Sequence, residues 1–156
     1  MIKVGDSIPA ANITVISKSG QENVSAADYF AGKKAVLFAL PGAFTPTCSE
    51  AHLPGFVVKY DDIIAKGVDT VACLSVNDSF VMKAWQDAQN AENIDMIADG
   101  GAALTKAMDL VLDTADFGGT RSQRYSMIID NGVVTHLNVE DGGFEVSDAD
   151  TALSQL

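Results

Sequence analysis

Two continuously apolar runs constrain this sequence more than any other feature. One is Ala35 to Leu40 in "KKAVLFALPG", stopped by Pro41-Gly42; the other is Val71 to Val76 in "DTVACLSVND", closed by polar turn residues. A strand buried on both faces reads this way, and such strands belong at the centre of α/β sheets. Between the runs, Leu53, Phe56, Val57, Tyr60, Ile63 and Ile64 carry the i, i+3, i+4, i+7 spacing of one buried helical face. Lys66-Gly67 ends that helix with a cation and a C-terminal glycine. Pro54 falls inside the pattern and is expected to kink the helix rather than abolish it. Strand, helix and strand make a βαβ unit, whose two strands run parallel with a right-handed connection.

The flanking sequence extends this unit into a sheet. "DSFVMKAWQDAQ" opens on an Asp cap and places Val81, Ala84, Trp85 and Ala88 on one face, which predicts a second helix. "IDMIAD" predicts a short strand and "AALTKAMDL" a third helix. "RYSMIIDNGVVTHLNV" predicts a hairpin about Asn131-Gly132, the pair that type I′ turns prefer. "ITVISKSGQENV" predicts another near the N-terminus with Ser19-Gly20 at its tip, and a short last helix runs from about Ser147 to Leu156. The sum is an α/β fold of thioredoxin-like arrangement: a central mixed β-sheet flanked by helices, with an N-terminal hairpin. With no repeat, linker or low-complexity tract, residues 1–156 read as a single domain.

Composition excludes several function classes. A formal net charge of −11 argues against nucleic acid or an anionic membrane as partner, because phosphate binding calls for clustered Lys and Arg. No apolar run reaches the roughly 18 residues that span a bilayer. "MIKVGDSIPA" lacks the basic-then-apolar pattern of a signal peptide, so a cytoplasmic location is expected. The two cysteines, Cys48 and Cys73, are too few for a disulfide scaffold and too far apart for a CxxC pair or a structural zinc site. Neither a metal nor another cofactor is expected.

One of those cysteines stands in a suggestive place. In "ALPGAFTPTCSEAHLPGF", Cys48 falls just past the carboxyl end of the first buried strand, in the first turn of the next helix. Sites of open α/β sheets collect at that end. A helix N-terminus offers unpaired N–H groups and partial positive charge, which favour thiolate over thiol. Thr45 and Ser49 bring hydroxyls near enough to serve the sulfur or a substrate. The alternative is a buried spectator thiol, since free cysteine is among the most buried residue types. Its neighbours are Pro, Thr, Ser and Glu rather than core residues, which favours a reactive thiol.

Pro41, Thr45 and Cys48 match the Pro-x-x-x-Thr-x-x-Cys motif of peroxiredoxins, thiol peroxidases on a thioredoxin-like fold. "PGAFTPTCSEAHLPGF" resembles the atypical type II, peroxiredoxin-5-like subfamily, and "VGDSIPA", "GVDTVACLSVNDSFVMKAW" and "GTRSQRYSMIIDNGVV" share its look. The resemblance implies an enzyme that reduces hydrogen peroxide and alkyl hydroperoxides, in antioxidant defence and redox homeostasis. It implies Cys48 as the peroxidatic cysteine that becomes sulfenic acid. Thr45 would hold the peroxide, Pro41 would shield the sulfenate, and Arg124 of "QRYSM" would be the active-site arginine. Arg121, close by, fits the motif less well.

Chemistry supports these roles and bounds them. An ordinary cysteine is about 3% thiolate at pH 7, so full ionisation gains about thirtyfold. Lowering the pKa also lowers intrinsic nucleophilicity. The rest of a fast peroxidase must come from aligning the peroxide and stabilising charge on the leaving oxygen. A threonine hydroxyl, helix-start amides and a planar guanidinium suit that task. His52, one turn beyond Cys48, is either a hydrogen-bonding support for the pocket or a structural histidine.

The sulfenic acid must then be reduced by a thiol. The resemblance suggests Cys73 as a resolving cysteine, but it lies within an apolar strand, and bridging needs Cα atoms within about 7 Å. Either Cys73 resolves Cys48 after local unfolding, or it is a buried structural thiol and an external thiol does so: glutathione with glutaredoxin, or thioredoxin. A homodimer is also implied, with Phe44 and Phe80 either at the contact or packed within the monomer. Three competing functions remain on the same sequence: a peroxide sensor that passes oxidation to a partner protein, a cysteine hydrolase using His52 or His136, and a non-catalytic interaction domain. The hydrolase lacks a histidine placed opposite the sulfur by a third group, and the interaction domain leaves "PGAFTPTC" unexplained.

Overall fold

The structure is a computed structural model that describes residues 1–156. Its nine strands are β1 (Asn12–Ser17), β2 (Gly20–Ser25), β3 (Lys34–Ala39), β4 (Thr70–Ser75), β5 (Asp95–Ala98), β6 (Val111–Asp113), β7 (Thr120–Ser122), β8 (Tyr125–Asp130) and β9 (Val133–Val139). Seven of them form one sheet in the order β2-β1-β5-β4-β3-β8-β9, while β6 and β7 make a separate ribbon. The pairs β3–β4 and β4–β5 are parallel and the others antiparallel, so the sheet is mixed. The helices are α1 (Ala26–Phe30), α2 (Leu53–Ala65), α3 (Ser79–Ala88), α4 (Ala103–Ala107) and α5 (Ala149–Ser154).

The two apolar runs become the central strands, β3 and β4, and they are parallel as the βαβ reading requires. Alternation along β3 divides the interior. Ala35, Leu37 and Ala39 face one core, with Ala72 and Leu74 of β4. Val36, Phe38 and Leu40 face a second core, with Val71 and Cys73 of β4 and with Leu53, Phe56 and Ile63 of α2. Cys48 belongs to this second core. Neither strand has a side open to water, which explains why the runs carry no polar alternation.

Pro54 does not kink α2 in the expected way. The turn before it, Cys48–His52, is wound as a π-helix, and the Leu53 amide donates to the Cys48 carbonyl five residues back. A proline cannot donate to a carbonyl four residues behind it, and a wider turn ahead of it absorbs that loss. The irregularity therefore falls on the cysteine's own turn.

Other departures are local. The N-terminal hairpin turns at Lys18-Ser19 rather than Ser19-Gly20, because Ser17 pairs with Gly20. In α3, Asp78 caps the helix by accepting from the Val81 amide, but the buried residues are Met82, Trp85 and Gln86. Ala84 and Ala88 are exposed. The larger Met82 side chain claims the core, and Gln86 is tolerated there because its amide donates to Ile94 O at 2.9 Å. The third and last helices are shorter than expected, α4 spanning five residues and α5 six. The hairpin β8–β9 turns at Asn131-Gly132, with φ of 48° and 78°, as a type I′ turn demands.

Candidate active site

Sheet register brings the site together. The antiparallel pair β3–β8 matches Ala39 with Tyr125, so the chain leaving β3 and the chain entering β8 meet at one end of the sheet. The loop from Pro41 to Thr47 leaves there, and Arg124 enters there. Tyr125 packs into the first core, so its predecessor Arg124 projects to the other side, where Cys48 lies. Alternation thus turns Arg124 toward the sulfur, whereas Arg121 belongs to β7 of the separate ribbon.

Cys48 is 1% exposed. Arg124 Nη2 donates to its Sγ at 3.2 Å, and Arg124 Nη1 lies 2.9 Å from His52 Nδ1. His52 Nε2 lies 2.9 Å from the Ser147 carbonyl. A carbonyl only accepts and a guanidinium only donates, so His52 carries its proton on Nε2 and offers a lone pair at Nδ1. His52 is fully buried and packs against the rings of Phe38, Phe56 and Phe144. Burial first, and then the Arg124 charge, push its pKa down to about 3, which keeps it neutral.

The loop ahead of Cys48 is tightly held. Phe44 has φ of +63°, an uncommon conformation for a bulky residue. The Gly42 carbonyl accepts from the Thr45 hydroxyl at 2.6 Å and from the Thr45 amide at 3.4 Å, and the Ala43 amide donates to Asn77 Oδ1 at 3.0 Å. Since Thr45 Oγ1 donates to Gly42, its lone pairs are left to accept from an O–H. The first helical bond runs from the Ser49 amide to Thr45 O at 2.9 Å, leaving the Thr47 and Cys48 amides as the free donors of a helix start.

A cavity of about 600 Å³ opens beside Arg124, and Cys48, buried behind the guanidinium, is not part of its wall. Its lining includes Pro41, Thr47, Leu112, Gln123, Arg124, Glu140 and Phe144.

The chain matches the Redoxin family over residues 3–153. It is 45% identical to Peroxiredoxin-2D of Arabidopsis thaliana over 99% of this chain and 98% of the relative. The chain belongs to the type II peroxiredoxins. Peroxiredoxin-2E-2, chloroplastic, of Oryza sativa subsp. japonica is 47% identical over 99% of this chain and 72% of the relative. Among solved structures, reduced Prx3 in complex with hydrogen peroxide from Vibrio vulnificus is 60% identical, with a TM-score of 0.96 over 99% of both chains. Peroxiredoxin 5 from Alvinella pompejana is 34% identical, with a TM-score of 0.86 over 99% of this chain and 97% of that one. The fold is therefore thioredoxin-like, and the protein is a thiol-dependent peroxidase, an antioxidant oxidoreductase that reduces peroxide with a thiol partner.

Within this peroxiredoxin the expected residues separate. Cys48, Arg124 and His52 are joined by hydrogen bonds, and Pro41 shares the cavity wall with Arg124. Cys73 is fully buried in β4, opposite Phe38 in the register, and makes no bond to Cys48. Burial pushes its thiol up. Arg121 makes no bond to the sulfur and donates instead to Gly118 O at 3.1 Å and Val76 O at 3.2 Å. Ser49 does not serve the sulfur as expected: its hydroxyl accepts from Trp85 Nε1 at 3.0 Å. His136, on β9, bonds only to Thr135 and stands outside the site.

Sequence reasoning passed over Asn77, Glu140, Ser147 and Phe144. Asn77 had a usable signal, since it follows a central strand at its carboxyl end. Glu140 and Ser147 bracket the glycine-rich "EDGGFEVS", a loop whose folding back onto the site leaves no periodic mark.

Proposed function

We propose that Cys48 is the peroxidatic nucleophile, that Arg124 and the Thr47 and Cys48 amides stabilise charge around it, and that Thr45 orients the peroxide. The observation that carries this reading is the Arg124 fork, one nitrogen on the sulfur and the other on a neutral histidine. A donor 3.2 Å from the sulfur stabilises a thiolate, and the same planar group can follow negative charge onto the departing oxygen. The peroxide O–H donates to Thr45 Oγ1, whose own proton is committed to Gly42 O. The thiolate attacks one peroxide oxygen, an S–O bond forms, and the O–O bond breaks. The other oxygen leaves with the bonding pair, takes a proton, and departs as water or an alcohol. Sulfur loses two electrons and Cys48 becomes a sulfenic acid. Pro41 shields it at the cavity wall.

An external thiol completes the cycle. Its sulfur attacks Cys48, water leaves, and a mixed disulfide forms; a second thiol then releases Cys48 and carries off the disulfide. Glutathione with glutaredoxin, or thioredoxin, suits this step. Cys73 is a structural thiol in this reading, supported by its full burial in a central strand. Two free cysteines suit a reducing compartment, and we place the protein in the cytoplasm.

The protein acts as a homodimer in this reading. Phe44, Phe80 and Phe117 are 58%, 85% and 80% exposed, so none of them is packed within the monomer. Their segments, the loop at Phe44, the start of α3 at Phe80 and the β6–β7 turn at Phe117, are tied side by side, Ala43 to Asn77, and Arg121 to both Val76 and Gly118. Three aromatic rings on adjoining segments suit a contact with a second copy.

The test is stopped-flow oxidation of reduced protein by hydrogen peroxide, with mass spectrometry of the products. Oxidation should vanish in Cys48→Ser and persist in Cys73→Ala, with turnover by external thiols retained in the latter. Oxidation no faster than free cysteine would overturn the role of Cys48. Loss of turnover with every external thiol in Cys73→Ala would make Cys73 the resolving residue.

A further inference from the structure

Glu140 follows β9 and stands beside Arg124 in the sheet, its amide donating to the Arg124 carbonyl at 2.9 Å. Its carboxylate gathers four donors, all of which reach Oε2. It accepts from the Ser147 hydroxyl at 2.6 Å, the Ser147 amide at 2.7 Å, and the Val146 and Glu145 amides, each at 2.9 Å. The loop between them is drawn back into a closed turn whose wall, Asp141 to Phe144, faces the cavity. Ser147 is fully buried, and its carbonyl is the group that receives His52 Nε2–H.

We propose that Glu140 is a positioning residue for the Arg124 guanidinium, acting through Ser147 and His52. The proposal rests on the roles given above to Cys48 and Arg124. Arg124 can be held against His52 only while Nδ1 carries a lone pair, and Nδ1 carries one only while the proton is fixed on Nε2. The Ser147 carbonyl fixes it there, and Glu140 fixes Ser147. Without that acceptor the other tautomer becomes accessible, in which an N–H on the ring meets an N–H on Arg124. The guanidinium then has no reason to stay on the sulfur. A carboxylate suits this place because all four donors reach Oε2 and meet a full negative charge there, whereas a glutamine offers them one neutral oxygen and turns its NH₂ toward the Glu145 amide.

Glu140→Gln tests this with three readouts. The rate constant for oxidation of Cys48 by hydrogen peroxide should fall by about tenfold or more, as misplacement of a charge-stabilising group costs. The ¹⁵N signals of the His52 ring should lose the pattern of a single Nε2–H tautomer. In a His52→Gln background the same substitution should add less than about a twofold loss, because the two residues act in series. A rate within twofold of wild type, a retained Nε2–H tautomer, or an undiminished loss in the His52→Gln background would each overturn the proposal. If Glu140→Gln does not fold, Glu140→Asp, which keeps the charge but retracts it, is judged by the same readouts. Wild-type protein that reacts no faster than free cysteine would overturn the role of Cys48 instead, and the tautomer would still decide whether Glu140 governs His52.

Discussion

Arg124 donates to Cys48 Sγ at 3.2 Å across 76 positions of sequence. The sulfur sits on a helical turn and the guanidinium on the start of an edge-ward strand, so sheet register and helix packing together set the distance. The fork is braced on its far side by His52 at 2.9 Å. A rigid donor aimed at the place where charge moves lowers a barrier without having to reorganise.

Arg124→Gln and Arg124→Lys should therefore both slow oxidation of Cys48 by hydrogen peroxide, by about 10²-fold or more. The lysine variant fails because one point charge cannot hold sulfur and His52 Nδ1 together. Stopped-flow rates at equal pH, with circular dichroism to confirm folding, check this. A lysine variant within threefold of wild type would mean that charge alone suffices.

Acid should destabilise the fold through His52. Its pKa is about 3 in the folded protein, lowered by burial and then by Arg124, against about 6.5 when unfolded. Between those values the unfolded chain binds a proton that the folded one refuses, so stability falls as pH falls from 6.5 toward 3. The slope reaches about 1.4 kcal/mol per pH unit for one such group. Glu140 adds to the loss at lower pH. Burial alone would raise its carboxyl, but the Ser147 hydroxyl and the amides of Glu145, Val146 and Ser147 hold it below the usual carboxylate range. Its contribution is present above that range and lost as it protonates. Urea unfolding between pH 6.5 and 4.5 should show a shallower slope in His52→Gln; equal slopes would place the acid sensitivity elsewhere.

What could be read in the sequence follows the range of the interactions. The Asn131-Gly132 turn, the Asp78 cap and the doubly buried strands β3 and β4 are set by neighbouring residues, and they stand where the residues put them. α1 and the β6–β7 ribbon have five and three residues each, too short for a period to show. The motif around Cys48 was legible as chemistry. Its π-helical winding was not, because it answers to Pro54 from the far side of the turn. The Ser147–His52 bond spans 95 positions and involves a backbone carbonyl, which no side-chain pattern announces. The face of α3 was misjudged by one position because the spacing admits two faces and only the depth of the core chooses Met82 over Ala84.

The dimer reading predicts that Phe80→Glu yields a monomer. Phe80 is 85% exposed, so the substitution leaves the monomer's own packing intact while placing a charge in the apolar patch. Sedimentation of wild type and variant at micromolar concentration decides it. Two identical sedimentation coefficients would remove the three phenylalanines from any contact between copies.

Re-reduction should report through Trp85, the single tryptophan of the chain. Cys48 is 1% exposed, so a thiol can reach its sulfur only after the turn Cys48–His52 opens. Trp85 is fully buried, and its indole N–H is held by Ser49 in that turn at 3.0 Å. Opening breaks this bond and changes the surroundings of the ring. Peroxide should thus alter tryptophan emission in wild type and in Cys73→Ala, and leave Cys48→Ser silent. Ser49→Ala removes one hydrogen bond from the closed turn, about 1 kcal/mol, so it should favour the open form and speed re-reduction by a small thiol about fivefold. A Ser49→Ala variant with wild-type re-reduction would show that the thiol gains access by another route, with the turn at Ser49 still closed.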